Sequence, residues 1–337
     1  MAFRHGVDLF QTNLGPVPVG EIDSAIIAIV GAAPSGPLNA LTVVKSERED
    51  AVFGAQVPGF SIPRALAQIR KEEPGARVVV INVLDPATHG TAVTAEAVTF
   101  TDGKAKLAFP YIGAAPVLKH TSGTPVYAAG TDYTIDAYGN IVSKDYTKIA
   151  ANASITATYT KPDFTAITDA VIIGTVNGTT GARTGFKLLE NSYNTLGFEP
   201  KILIAPGYSQ TAAIVAEMRT WTARLGAVAA VDAPTGTTVA AAKTGRTPAG
   251  TINFNVSDKS IILCYPEVKV YDPATDAVVN APYSSSYVGV MARVDREQGF
   301  WKSPSNETMR GVLGLAVQLS GSAFTSGTDT DDLNALG

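Results

Sequence analysis

The chain has 337 residues, a net charge of −4 from 26 basic and 30 acidic side chains, and 45% hydrophobic against 17% charged content. Its length exceeds that of an ordinary single domain and predicts either two domains or one with a large insertion. The acidic balance argues against a protein that grips nucleic-acid phosphates by bulk charge, and no apolar run approaches the ~20 residues of a bilayer span.

The opening "MAFRHGVDLFQTNLG" lacks the basic-then-apolar order of a secretory signal. Residues 1–22 are spaced by Gly and Pro with short alternation around Val7 and Leu9, which predicts an extended arm. From Ser24 the run "AIIAIVG" reads as a buried strand. "SIPRALAQIRKEEPG" (61–75) repeats apolar residues at helical spacing with Pro63 in its first turn, and "ARVVVINVLD" reads as a second buried strand. Strand, helix and strand in that order predict parallel pairing through a right-handed crossover.

Between His89 and Pro162 the period changes to two. The runs "AVTF", "KAKLAF", "DYTID", "NIVS" and "SITATYT" are separated by Asp102-Gly103, Gly123, Gly130 and Gly139-Asn140, the pattern of antiparallel hairpins. Beyond them, "DAVIIG" reads as a strand and "ARTGFKLLENSYNTL" as a helix. "KILIAPG", "AVAAVDAP" and "SIILCYPEVKVYD" read as strands, with helices at "SQTAAIVAEMRTWTARL", near "TVAAAKTG" and around 287–297. The predicted fold is α/β: a discontinuous layered α/β domain (23–88 and 163–320), an inserted antiparallel all-β domain (89–162), an extended N-terminal arm (1–22), and the start of a further domain at 321–337.

Few residues offer chemistry. "GTTGARTGFK" (178–187) lacks the spacing of a phosphate-binding loop, and no Ser or Thr follows Lys187 to reach magnesium. Ser209 in "PGYSQT" suits a helix N-cap better than a nucleophile elbow, since Thr211 stands where the elbow needs glycine. Asp85 and Asp232 close strands where open α/β sheets hold ligands, so they are the enzyme candidates, although an Asx turn beside proline is the simpler account of each. His5, His89 and His120 are scattered without metal or triad spacing, and "DTDDLN" (329–334) lacks the glycine and distant glutamate of a calcium loop. No metal or cofactor is called for. Lone Cys264 has no internal disulfide partner and reads as a small buried hydrophobe of a protein that matures in a cytoplasm.

One stretch carries a resemblance. "ARVDREQGFWKSPSNETMRGVLGL" (292–315), with an aspartate, a Gly-x-Trp-Lys-x-Pro corner and a later Gly-Val-x-Gly, is similar to the contractile tail sheath family of bacteriophages and related injection machines. "HGVDLFQTNLGPVPV" and the segment closing at Phe53–Gly54 resemble the family's N-terminal part, and "GTDYTIDAYGNIV" (130–142) resembles a β-domain motif of phage tail proteins. The resemblance implies a structural subunit, without enzymatic activity, that stacks in rings around an inner tube. Its contraction would drive that tube through a bacterial envelope.

The implied partners are other sheath subunits joined by strand addition, the tube protein, the baseplate and the tail terminator, with no nucleic acid and no membrane insertion. The implied location is the virion tail, assembled in the host cytoplasm. Family members normally continue beyond "DDLNALG" into a C-terminal domain, so the expectation is a truncated, monomeric chain. His5, Val7, Leu9, Arg293, Asp295, Arg296 and Lys302 are the expected subunit contacts. Gly299, Trp301 and Pro304 are the expected structural corner, with Trp301 buried as its anchor. The rival readings are another phage tail or baseplate protein, or an enzyme built on Asp85 or Asp232.

Overall fold

Four short apolar runs dictate the centre of the molecule. In the computed structural model, which describes residues 25–247, 250 and 252–317, they become strands without an exposed residue between them: β1 (Ile27–Gly31), β3 (Val78–Asn82), β10 (Ile202–Ile204) and, half-buried only at its first residue, β11 (Val228–Asp232). Continuous rather than alternating hydrophobicity is what a parallel sheet covered on both faces requires. The sheet has six strands in the order β12-β11-β10-β1-β3-β2, with β12 (Ile261–Cys264) completing a parallel set and β2 (Thr42–Val44) antiparallel at the edge. The expected arm at 1–22, with His5, Val7 and Leu9, and the segment 321–337 lie outside the described residues.

Each face of the sheet has its own apolar layer. Ile27, Ile29, Val78, Val80, Ile202 and Ile204 meet Ile62, Leu66 and Ile69 of α2 (Ser61–Glu72), which follows the short α1 (Glu47–Asp50), and Val288 and Ala292 of α7 (Tyr283–Gln298). Ala28, Val30, Val79, Ile81 and Leu203 face the opposite way onto Phe186, Leu189 and the α5 helix (Ala212–Leu225), whose Trp221 is 1% exposed. Cys264 belongs to the first layer, where burial pushes its thiol up.

Residues from His89 to Pro162 leave and rejoin this body through adjacent passages, the Asp163 N–H donating to the His89 carbonyl. One three-stranded sheet has the order β4-β9-β6 (Gly90–Thr99, Ser154–Pro162, Val117–His120). A second has the order β5-β8-β7 (Lys104–Lys106, Asn140–Ser143, Tyr133–Ile135). Phe100, Leu118, Tyr133, Ile141 and Ile155 form a core of their own between them. Asp102 and Gly103, both with positive φ, make the tight turn that returns the chain into β5. Ile112 and Tyr138 reach out of this region to pack on the α/β core.

Three expected elements differ. "DAVIIG" is not a strand but the short helix α3 (Asp169–Ile173), stopped by Gly174 at φ +79°; so brief an apolar run carries no period that separates helix from strand. The expected helix at 182–196 is a 3-10 stretch (Gly185–Asn191) running into α4 (Ser192–Leu196). "SIILCYPEVKVYD" is two strands. Pro266 ends β12, and β13 (Val268–Asp272) joins β14 (Ala277–Ala281) and β15 (Gly314–Leu315) in a separate antiparallel sheet. Helix α6 (Val239–Gly245) lies between β11 and β12.

Candidate functional site

The motif at 292–315 begins on α7 and is held against the carboxyl end of α2. Glu72 and Glu73 end α2, where the helix dipole disfavours negative charge, so both need cationic partners. Arg293 and Arg296, three apart on one face of α7, supply them: Arg293 Nη1 donates to Glu72 Oε2 at 2.6 Å, and Arg296 Nε to Glu73 Oε2 at 2.7 Å. Glu72 is 0% and Arg293 3% exposed. The second Glu72 oxygen accepts the Arg310 backbone N–H, and Arg293 Nη2 donates to the Thr308 carbonyl at 2.7 Å. One buried carboxylate thus binds α2, α7 and the segment after α7 into a single unit. Burial pushes the Glu72 carboxyl above its usual range against the opposing pull of the Arg310 N–H and the Arg293 charge.

Arg293 is therefore an internal residue rather than a subunit contact, because a guanidinium so deeply placed is already committed to its own chain. Arg296 is exposed although paired with Glu73 and Glu297, Asp295 is half-buried, and Lys302 is exposed. Gly299 caps α7 at φ +97° and turns the chain away from the body. Trp301 corrects the expectation of a buried anchor: it is 76% exposed, lies over Gly299, and meets Phe300 edge-on at 5.3 Å. The physical reason is the direction set by Gly299, which sends residues 300–306 across the surface. Pro304 is half-buried within that run. Phe300 (65%), Leu313 (62%) and Leu315 (43%) are exposed as well, so this segment displays large apolar side chains, whereas most other aromatic residues among the described ones are covered.

The enzyme candidates are absorbed by the fold. Asp232 is 2% exposed and ties β11 to the start of α7, accepting the Ser284 N–H at 2.8 Å and the Ser284 hydroxyl at 2.6 Å. Burial pushes its carboxyl up to about 6, against the Ser284 bonds. Ser209 is not an N-cap, a position that Thr211 holds; its Oγ accepts the Asp232 N–H at 3.1 Å. Asp85 closes an Asx turn with the Ala87 N–H at 2.9 Å. Lys187 pairs with Glu217 at 2.6 Å, leaving the glycine loop before it without its cation. Among the described residues no group of three or more His, Cys, Asp or Glu is placed to hold a metal, and no helix is long and apolar enough to cross a membrane.

Sequence reasoning missed Glu72 and Glu73. An acidic pair at a helix carboxyl end, opposite two arginines three apart on a later helix, was the available signal.

Residues 181–337 match the model of the phage tail sheath protein central domain. Across 99% of its length the chain is 44% identical to a tail sheath protein of Burkholderia phage BcepMu, of which it covers 70%. It is 28% identical to the tail sheath protein of Escherichia phage P2 over 49% of this chain and 40% of that one. The sheath complex of an extracellular contractile injection system in its contracted state superimposes with a TM-score of 0.47 at 13% identity, over 96% of this chain and 58% of that one.

Proposed function

The chain belongs to the tail sheath protein family, whose members are structural subunits and not enzymes, and from that membership we propose that it polymerises around an inner tube and contracts to drive the tube through a bacterial envelope. The observation that carries this reading is the 44% identity, sustained along nearly the entire chain, to a phage tail sheath protein. Its partners are then further copies of itself, linked by strand addition, together with the tube, baseplate and terminator proteins, and assembly takes place in the host cytoplasm. A small difference between two packings suffices per subunit, because the same heterologous contact repeats along a helical polymer and the differences add.

The division of labour within the chain is part of the proposal. The α/β body (23–88 with 163–320) acts as the rigid unit, and the β region 89–162 lies on the polymer's outside, where an insertion obstructs least. Phe300 and Trp301, exposed and packed edge-on, are the apolar part of a contact with a neighbouring copy, with exposed Arg296 and Lys302 next to them in the chain; exposed apolar side chains mark such contacts. Replacing Trp301 with p-benzoylphenylalanine and irradiating assembled particles tests this. A ladder of self-crosslinked chains supports the reading, and crosslinks confined to a different protein reject it.

A further inference from the structure

The glycine loop that precedes Lys187 carries a chemistry other than phosphate binding. Between α3 and the 3-10 stretch the chain folds into a tight hairpin in which Val176 bridges Arg183. The Asn177 N–H donates to the Ala182 carbonyl at 2.8 Å, and the Gly181 N–H donates to the Asn177 carbonyl at 2.8 Å. Residues 175–182 are exposed throughout. Asn177 and Gly178, within that exposed run, form the one Asn-Gly step in the sequence.

The atoms of this step are held unequally. Asn177 Oδ1 accepts the Thr179 N–H at 2.9 Å and the Thr180 N–H at 3.0 Å. Its Nδ2 donates to no other described group, and neither does the Gly178 N–H. Gly178 brings no side chain to block an approach between them. Other asparagines are tied at the nitrogen instead: the Nδ2 groups of buried Asn82 and Asn253 donate to main-chain carbonyls, and Asn140 Nδ2 donates to Asp136 at 2.8 Å. Asn177 alone among these four joins a carbonyl gripped by two donors to a free amide nitrogen and an unhindered neighbouring N–H.

We propose that Asn177 is a site of self-modification, at which the Gly178 nitrogen closes onto the Asn177 side chain to form a succinimide. Hydroxide removes the Gly178 amide proton, the Gly178 nitrogen bonds to Cγ, and the Cγ–Nδ2 bond breaks. Nδ2 leaves as ammonia, taking its third proton from water. A second water then opens the ring at either carbonyl, giving aspartate or isoaspartate. Negative charge develops on Oδ1 during closure, and the Thr179 and Thr180 N–H groups already stand at the distances that stabilise an oxyanion. Either product adds one negative charge to the exposed hairpin. Isoaspartate also lengthens the main chain by a methylene, just where the Gly181 N–H closes the turn on residue 177.

The test is to hold the full chain at mildly alkaline pH, sample it over time, digest it at acidic pH and weigh its peptides, with fragmentation that separates aspartate from isoaspartate. The mass gain of an amide-to-acid conversion is expected in the peptide containing Asn177, with isoaspartate among the products and a rate that rises with hydroxide. Gly178→Ala is the first control, because Gly178 has no positive φ and a Cβ there would meet nothing within 4 Å; it is expected to react about tenfold more slowly. The same chain unfolded in guanidinium chloride lacks the two threonine donors, and it too is expected to react about tenfold more slowly than the folded chain. An unmodified Asn177, conversion spread evenly over the other asparagines, an equal rate in Gly178→Ala, or an unfolded chain that reacts as fast as the folded one would each overturn the proposal.

Discussion

Gly289 of α7 lies so close to Glu72 of α2 that a methyl group at 289 would sit 2.8 Å from the Glu72 Cβ and 3.2 Å from the Ile69 Cα. The helices approach this closely because one has no side chain at the crossing, and that approach lets Arg293, one turn further along α7, reach the Glu72 carboxylate. Gly289→Ala raises helix propensity by up to about 1 kcal/mol yet forces the two helices apart. The expected net result is a loss of about 1–2 kcal/mol in a urea titration; a gain in stability would show that the helices separate without cost.

Arg293→Ala leaves the Glu72 carboxylate buried with the Arg310 N–H and charge as its remaining support. Removing one partner of a buried pair costs about 3–5 kcal/mol, while replacing both by neutral groups of similar size is far milder. A double-mutant cycle with Glu72→Gln and Arg293→Met checks this. The double variant is expected to recover most of the loss of the Arg293→Met single variant, and a double variant as unstable as that single one would place the stabilisation elsewhere.

The two tryptophans separate core from surface. Trp221 is 1% exposed and its Nε1 donates to Glu217 at 2.6 Å, so Trp221→Ala is expected to cost about 3–5 kcal/mol. Trp301→Ala, at 76% exposure, is expected to cost less than about 1 kcal/mol in the isolated chain. Chemical denaturation of both variants decides, and equal losses would contradict the placement of Trp301.

That contrast shows where the sequence was legible. Continuous apolar runs such as "AIIAIVG" and "ARVVVINV" identified the buried parallel strands, and the turn to period two at His89 marked the antiparallel region, because hydrophobic period is a local property. The fate of Trp301 is not local: it depends on the φ +97° at Gly299, which aims the following residues outward. The same limit hid the Glu72–Arg293 pair, whose members are 221 residues apart, and the Asp232–Ser284 contact, which joins a strand end to a helix start across 52 residues. Residue types at these positions were visible, but their partners were fixed by topology.

The buried Asp232 carboxyl predicts a pH signature. Its folded-state value of about 6 lies above the ordinary 3.8, so folding favours the protonated form. Its contribution is fully present below the ordinary value and is lost as the pH rises through about 6, a change of roughly 3 kcal/mol. Asp232→Asn does not titrate. Relative to wild type it should therefore gain stability steadily from pH 4 to pH 7, by up to about 3 kcal/mol, read from urea midpoints at each pH. A difference between the two proteins that does not vary with pH would show that the Ser284 donors already stabilise the carboxylate in full.

The central claim is that many copies of this chain form the outer wall of a contractile tail. Electron microscopy of intact particles carrying the chain, labelled with antibody against residues 90–162, tests it most directly. The account predicts label repeating at regular intervals along the whole tail. Label restricted to one end of the tail, or reaching the particles only after they are disrupted, would contradict it.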